Sequence, residues 1–305
     1  MASFLLRRLA QAFLSLVFLS ALIFLMSRVT GNPIDIMLPA DAPESAREQL
    51  SKALGLDQPL YTQYATYVGS LLRGDFGTSI RGGQPVATLL SQRLPASLAL
   101  GAVAIGITLT LAIPLGVVAA VKRGTVWDTV ARLLALIGQS VPSFWIGILL
   151  IQFFAVQLRW FPSSGTGSAA NFILPAFTMS LFVIAGITRL LRTSMLEVLD
   201  SEFVRFARSK GVSERDVIWK HALRNALIEV LGFAGVYVAI LVTTAVVVET
   251  VFGWPGIGSL AYNAIIERNY TLMQGVVMLT GVIVIASNFA VDILYALVDP
   301  RIRLS

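Results

Sequence analysis

The sequence has no cysteine and a single histidine, and only 13% of its 305 residues are charged. Without cysteine there is no disulfide framework and no thiolate chemistry, and the sequence reports no redox compartment. One histidine, His221, cannot build a zinc site, and no H-E-x-x-H occurs. No G-x-x-x-x-G-K-[ST] loop is present, so the chain does not hydrolyse ATP itself. The serines of Gly77-Thr78-Ser79 and Gly138-Gln139-Ser140 lack a base, and His221, beside Lys220 and near Arg224, reads as a helix-surface residue. These absences argue against an enzyme, a cofactor and a metal. The shortage of charge carries a further message, because soluble domains hold about 25% charged residues.

What is present is apolar: 56% hydrophobic residues and a mean hydropathy of +0.79. A bilayer core of about 30 Å needs roughly 20 helical residues. Six runs qualify, near 9–27, 98–121, 133–156, 172–188, 226–248 and 272–296. They are too long, and too apolar on all sides, for the alternating segments of membrane strands. The expectation is an all-α polytopic protein with six transmembrane helices. The net charge of +6 does not mark a nucleic-acid binder. Most Lys and Arg precede span 1, follow spans 2 and 4, or follow span 6, which are alternate loops. The positive-inside rule then places both termini in the cytoplasm and residues 30–97 outside. Arg7 and Arg8 before an apolar run could open a signal peptide. The run is longer than a signal core, and Met26-Ser27-Arg28-Val29-Thr30 offers no cleavage site, so span 1 reads as an uncleaved anchor.

The external region after span 1 should hold short helices. One begins at Pro43-Glu44, and another covers Pro59 to Leu72, with Leu60, Tyr64, Val68, Leu71 and Leu72 on one stripe before Gly74 and Gly77 break the chain. It reads as a structural lid, with a contact surface for an external partner as the other reading. Prolines 114, 142 and 175 fall within spans 2, 3 and 4 and should kink them. Ionisable residues inside spans are scarce. Asp292, with Asn288 one turn before it, lies nine residues ahead of Arg301, about 13 Å along a helix. It reads as a buried structural carboxylate or as a gate. Glu249, at the outer end of span 5, reads as interfacial.

Between spans 4 and 5 the chain turns basic: FARSKGVSERDVIWKHALRNAL, residues 206–227. Gly211 interrupts a helical pattern, and Ser213 stands three residues before Asp216 as in a capping box. A helix should end near Lys210, turn at Gly211 and restart after Ser213. The second helix places Val217, Ile218, Ala222, Leu223 and Ala226 on one side and Arg215, Lys220 and Arg224 among the rest. Such a pair suits either a soluble partner or anionic headgroups of membrane lipid.

The segment Phe203-Val204-Arg205-Phe206-Ala207-Arg208-Ser209-Lys210-Gly211-Val212-Ser213-Glu214, followed by His221-Ala222-Leu223-Arg224-Asn225-Ala226, resembles the cytoplasmic loop of permeases in the dipeptide/oligopeptide branch of ABC importers. Four further stretches fit the same branch, in order: Gly55 to Leu60, Gly74 to Gly77, Glu249 to Gly258, and Val298 to Arg303. Where the wider importer family has E-A-A-x-x-x-G and I-x-L-P, this chain has Arg205 for Glu, His221 for Ile and Arg224 for Pro, as the peptide branch does. The resemblance implies an ABC importer type I transmembrane fold. It implies residues 1–95 as a first helix with its external region, and 96–300 as the core domain with a coupling loop at 189–226. Arg205, Ala207, Gly211, Ser213, Asp216, Trp219, His221, Ala222, Arg224 and Asn225 would form the surface that meets an ATPase. It also implies a second homologous permease, two cytoplasmic ATP-binding subunits and an external substrate-binding protein. The cargo would be di- or oligopeptides, with glutathione, opines or a nickel complex as alternatives. An ATP-independent secondary transporter is the rival class. It would show internal repeats or paired ionisable residues at mid-membrane, and neither is evident.

Overall fold

The computed structural model describes residues 2–30, 34, 38–39 and 41–298. The Asp299-Pro300-Arg301-Ile302-Arg303 portion of the C-terminal motif lies outside the described residues, as does the Arg301 used to place Asp292 in depth. The described chain is helical. Its helices are α1 (Ala2–Thr30), α2 (Glu44–Ala53), α3 (Leu60–Leu72), α4 (Val86–Val121), α5 (Val126–Ser140) and α6 (Ser143–Leu150), which a π-helical stretch, Ile151–Gln157, continues. A 3₁₀ turn, Ala169–Phe172, leads into α7 (Ile173–Leu199). Then come α8 (Glu202–Ser209), α9 (Glu214–Asp216) with a π-helical continuation at Val217–Ala222, α10 (Leu223–Gly232), α11 (Ala234–Val251), α12 (Ile257–Ile266) and α13 (Tyr270–Val298). Among the described residues there is no strand, only an isolated bridge between Thr78 and Pro85.

Five of these helices are long and apolar enough to cross a membrane, and a sixth crossing arises if α5 and the α6 segment count as one bent span. The run 133–156 is therefore broken, not kinked: its two halves meet at 107°. Val141 is extended at φ −94°, ψ 129°. Pro142 disfavours a helical predecessor and has no N–H to continue the ladder. The other two prolines behave differently. Pro114 lies inside uninterrupted α4, and Pro175 sits in the first turn of α7, where a missing N–H costs little. The run 226–248 is also divided. Phe233, at φ −99°, ψ −2°, separates α10 from α11, so the membrane-length helix is Ala234–Val251.

The chain forms two compact units. One comprises residues 96–255 with 287–298. Its centre is α7, of whose apolar window 61% is buried. In a membrane, apolar transfer gives helices little reason to associate, so close packing must hold them. The sequence of α7 supplies this with small residues such as Ala176, Ser180, Ala185 and Gly186, all buried. The partner helices are small where they meet it. A Cβ on Gly138 of α5 would stand 3.0 Å from the Leu181 carbonyl oxygen, so any larger residue would push the two helices apart. Hydroxyls in this helix satisfy themselves: Thr178 donates to the Leu174 carbonyl at 2.8 Å.

The same unit corrects the reading of Glu249. Its side chain is fully buried, and Ser97 donates to Oε1 at 2.6 Å. Counting along span 5 put Glu249 at an interface, but the next residues fold back over the helix end. Gly253 takes a left-handed φ of 58°, the Trp254 N–H reaches the Glu249 carbonyl at 2.8 Å, and Phe252 and Trp254 are both buried. The Trp254 indole N–H donates to the Ala96 carbonyl at 3.0 Å, and its ring meets Phe172 edge-on with centroids 4.6 Å apart. Residues 249–254 of the Glu249-to-Gly258 motif thus form a packed corner.

The second unit comprises Ala2–Pro95 and Gly256–Ala286. Helices α2 and α3 start after Pro43 and Pro59, where the sequence places them. Tyr64 fixes α3 to α1, with its hydroxyl 2.9 Å from Ser20 Oγ and its ring edge-on to Phe24 at 5.4 Å. Leu60 and Leu72, two members of the apolar stripe, are exposed. Gly74 and Gly77 take left-handed conformations, and Asp75 accepts from the Gly77 N–H at 2.8 Å. Buried Asn269 ties this turn down, accepting from the Ile80 N–H at 3.3 Å and donating to Ser79 Oγ at 2.7 Å.

Candidate functional site

The segment that leaves α7 and returns at α10 forms the candidate site. Local chemistry builds it. Helix α8 ends at Lys210, and Gly211 turns the chain at φ 77° with nothing within 4 Å of where a Cβ would lie. That conformation costs an L-residue about 1–2 kcal/mol, so glycine is the natural occupant. Ser213 then caps α9: its Oγ accepts from the Asp216 N–H at 3.2 Å. The Ser213 hydroxyl also donates to the Asp216 carboxylate at 2.8 Å, so the side chains of the Ser-x-x-Asp pair bond to each other. Across the turn, Arg208 grips Glu214 with two bonds, Nε at 3.1 Å and Nη2 at 2.7 Å. These bonds bridge the two sides of the turn, and the two short helices with it form one small piece.

Two side chains anchor that piece, Val204 in α8 and Val217 at the start of the π-helical stretch, both fully buried. The outward face carries an unusual set for a loop. Phe203 is 44% exposed, Phe206 60% and Trp219 47%, and the Lys210 ammonium sits 4.4 Å from the Phe206 ring centroid. Two ion pairs lie on the same segment: Arg205 with Glu202 at 2.9 Å, and Lys220 with Asp216 at 2.7 Å. Hydrogen bonds from Lys220 and Ser213 hold the Asp216 carboxyl below its ordinary value, and the Arg208 hydrogen bond does the same for Glu214. Both carboxylates stay ionised at neutral pH. The surface is rigid at its base and combines exposed aromatic rings with fixed charges, the composition of an interface anchor.

Of the residues singled out from the sequence, Arg205, Gly211, Ser213, Trp219, His221, Arg224 and Asn225 are exposed on this segment. Ala207 and Asp216 are half-buried. Asn225 donates to the His221 carbonyl at 2.7 Å. Ala222 is different: it is fully buried in the core of its own unit, with Leu223 and Ala226. A large residue there would disrupt that core before it met any partner. Asp292 lies apart, half-buried on α13, and Asn288 one turn earlier packs against Gly235.

Sequence reasoning missed an ion pair at the base of this region. Asp128, in the first turn of α5, is 1% exposed. Arg192 of α7 donates to it twice, from Nε at 2.7 Å and Nη2 at 2.9 Å. The Gly124 N–H adds a third bond at 3.0 Å, and Arg132 approaches at 3.4 Å. The pairing spans 64 residues, and no periodicity reports it. One signal was available: Asp128 is the only acid between Asp75 and Glu197, in a stretch with many bases.

Comparison with known proteins agrees with this architecture. Residues 112–304 match the family described as binding-protein-dependent transport system inner membrane component, and residues 1–101 match the N-terminal component of the same system. A putative peptide transport system permease protein of Brucella abortus is 40% identical over 99% of both chains. The oligopeptide transport system permease protein AppB of Bacillus subtilis is 37% identical over 99% of this chain and 100% of its own. The glutathione transport system permease protein GsiC of Escherichia coli is 36% identical over 99% of both. Among solved structures, an inward-facing MetNI methionine ABC transporter shares the fold at a TM-score of 0.59 and 22% identity, covering 69% of this chain and 96% of its own. The chain therefore belongs to the binding-protein-dependent transport system inner membrane components, as the multi-pass permease subunit of an ABC importer.

Proposed function

We propose that this permease imports di- or oligopeptides and that residues 202–226 dock on a cytoplasmic ATP-binding subunit. The observation that carries the docking is the exposed set Phe203, Phe206 and Trp219 on a segment pinned by Val204 and Val217. In this reading a second, homologous permease completes the pore, two ATP-binding subunits supply the energy, and an external binding protein delivers the solute. Both termini lie in the cytoplasm. Residues 1–95 provide the first helix and external region, and residues 96–300 the core domain. Closure of the ATP-binding subunits shifts the α8–α9 piece, and the spans move between outward-open and inward-open states. Arg205, Gly211, Trp219, His221 and Arg224 belong to the docking face. Asp292, which has an interaction partner of its own, is structural.

Peptide cargo is favoured by the relatives named for peptide and oligopeptide transport, and glutathione is kept as a second reading because one relative is named for it. The test is a reconstituted complex in proteoliposomes. Trp219→Ala and Phe206→Ala should lower ATPase stimulation by loaded binding protein and lower peptide uptake together, by roughly tenfold or more for an anchor worth about 2 kcal/mol. Unchanged stimulation and uptake in both variants would remove the docking role. Competition by unlabelled glutathione separates the two cargo readings.

A further inference from the structure

A cleft of about 370 Å³ opens between α4, α5 and α7, lined by Ala119, Ala131, Arg132, Ala135, Leu136, Thr188, Arg189 and Arg192. Its polar side is cationic. Arg192 uses Nε and Nη2 on Asp128, which leaves the Nη1 hydrogens pointing elsewhere. Arg189 of α7 and Arg132 of α5 are exposed and line the same cleft. Three arginines line the cleft, and the one carboxylate paired there, Asp128, engages two of them, so the cleft holds excess positive charge.

Thr188 provides the independent sign of a ligand. It is 3% exposed, and its hydroxyl has no hydrogen-bond partner among the described residues. Four other hydroxyls of α7 each donate to the carbonyl one turn earlier: Thr178 to Leu174, Ser180 to Ala176, Thr193 to Arg189 and Ser194 to Leu190. Thr188 alone of these does not, although a buried unpaired hydroxyl is costly. Thr188 and Arg192, at i and i+4, share one face of the helix, and Arg189 lines the same cleft. A donor and several cations therefore converge on one place.

The rest of the lining is apolar: Ala119 of α4, and Ala131, Ala135 and Leu136 of α5. Depth fits a headgroup as well. Arg132 and Arg192 lie about 10 Å from the nearby ends of α5 and α7. Trp127, at that end of α5, is 60% exposed and carries the Lys122 ammonium 5.2 Å from its ring centroid, an arrangement suited to the membrane–water interface. We propose that this cleft is a binding site for an anionic phospholipid, with its phosphate on Thr188, Arg189 and the outward edge of Arg192, and an acyl chain along the apolar lining.

The test uses the purified full chain in detergent. Thermal stability and lipid retention by native mass spectrometry are measured with phosphatidylglycerol, phosphatidylcholine or inorganic phosphate. Phosphatidylglycerol should be retained and should stabilise the protein, and phosphatidylcholine should do neither. Arg189→Gln and Thr188→Val should each weaken the phosphatidylglycerol effect by roughly tenfold, the loss of about one charge-assisted hydrogen bond. Both variants leave the Asp128–Arg192 pair intact, so folding is not at stake. Equal stabilisation by inorganic phosphate would overturn the lipid assignment in favour of a free anion. Phosphatidylglycerol retention unchanged in both variants would overturn the site.

Discussion

Two arginine–carboxylate pairs in this permease have nearly the same geometry and opposite surroundings. Arg192 and Asp128 meet at 2.7 and 2.9 Å with the Asp128 side chain 2% exposed. Arg208 and Glu214 meet at 2.7 and 3.1 Å with both side chains roughly half exposed. Hydrogen-bond lengths alone would rank them equal. Burial separates them: removing one partner of a buried pair strands a charge at about 3–5 kcal/mol, whereas an exposed pair contributes about 0–1 kcal/mol. The first pair therefore holds α5 to α7, and the second only shapes a turn.

The largest expected effect is at Asp128. Asp128→Ala leaves Arg192 unpaired beside the α5–α7 packing. It should lower the melting temperature of the purified permease and its yield in the membrane fraction, consistent with about 3–5 kcal/mol. A change no larger than that of Glu214→Gln, measured side by side, would erase the distinction between the pairs.

Gly211 comes next. Since nothing crowds its would-be Cβ, a substitution there tests backbone conformation alone. Gly211→Val should cost about 1–2 kcal/mol locally and impair uptake, and Gly211→Asn should retain most activity, because asparagine tolerates the left-handed region. Equal uptake by the two variants would show that the turn imposes no such constraint.

The smallest effect belongs to the exposed pair, and pH should reveal it. Arg208 lowers the Glu214 carboxyl from its ordinary 4.5. The pair's contribution is thus full above that value and is lost as pH falls through the lowered one. Hydrogen exchange at residues 209–213 should be faster at low pH than at pH 7, beyond the intrinsic pH effect. In Glu214→Gln that excess should vanish. An excess that survives Glu214→Gln would assign the pH response to another group.

What the sequence revealed was local. The turn at Gly211 and the cap at Ser213 depend on residues within three positions of one another, and so do the helix starts after Pro43 and Pro59. What it hid depended on distance or direction. Hydropathy reports that residues 126–157 are apolar but not that the chain swings through 107° at Val141-Pro142. Counting along span 5 placed Glu249 at an interface, whereas Ser97 and the corner at Trp254 enclose it. Ala222 looked available for docking because amphipathic spacing does not say which side another helix of the same unit covers. The Asp128–Arg192 pair needed the fold itself.

The docking we propose for α8 and α9 is directly measurable, because the sequence has no cysteine. A single cysteine in place of Phe206, which is 60% exposed, can be labelled in inverted membrane vesicles with a membrane-impermeant maleimide. Ready labelling of the permease alone is expected, with strong protection once the ATP-binding subunits assemble on it. A control cysteine at Ser51, in the region we propose to be external, should stay unlabelled in both. Labelling at position 206 that is unchanged in an assembled, ATP-hydrolysing complex would rule out this docking.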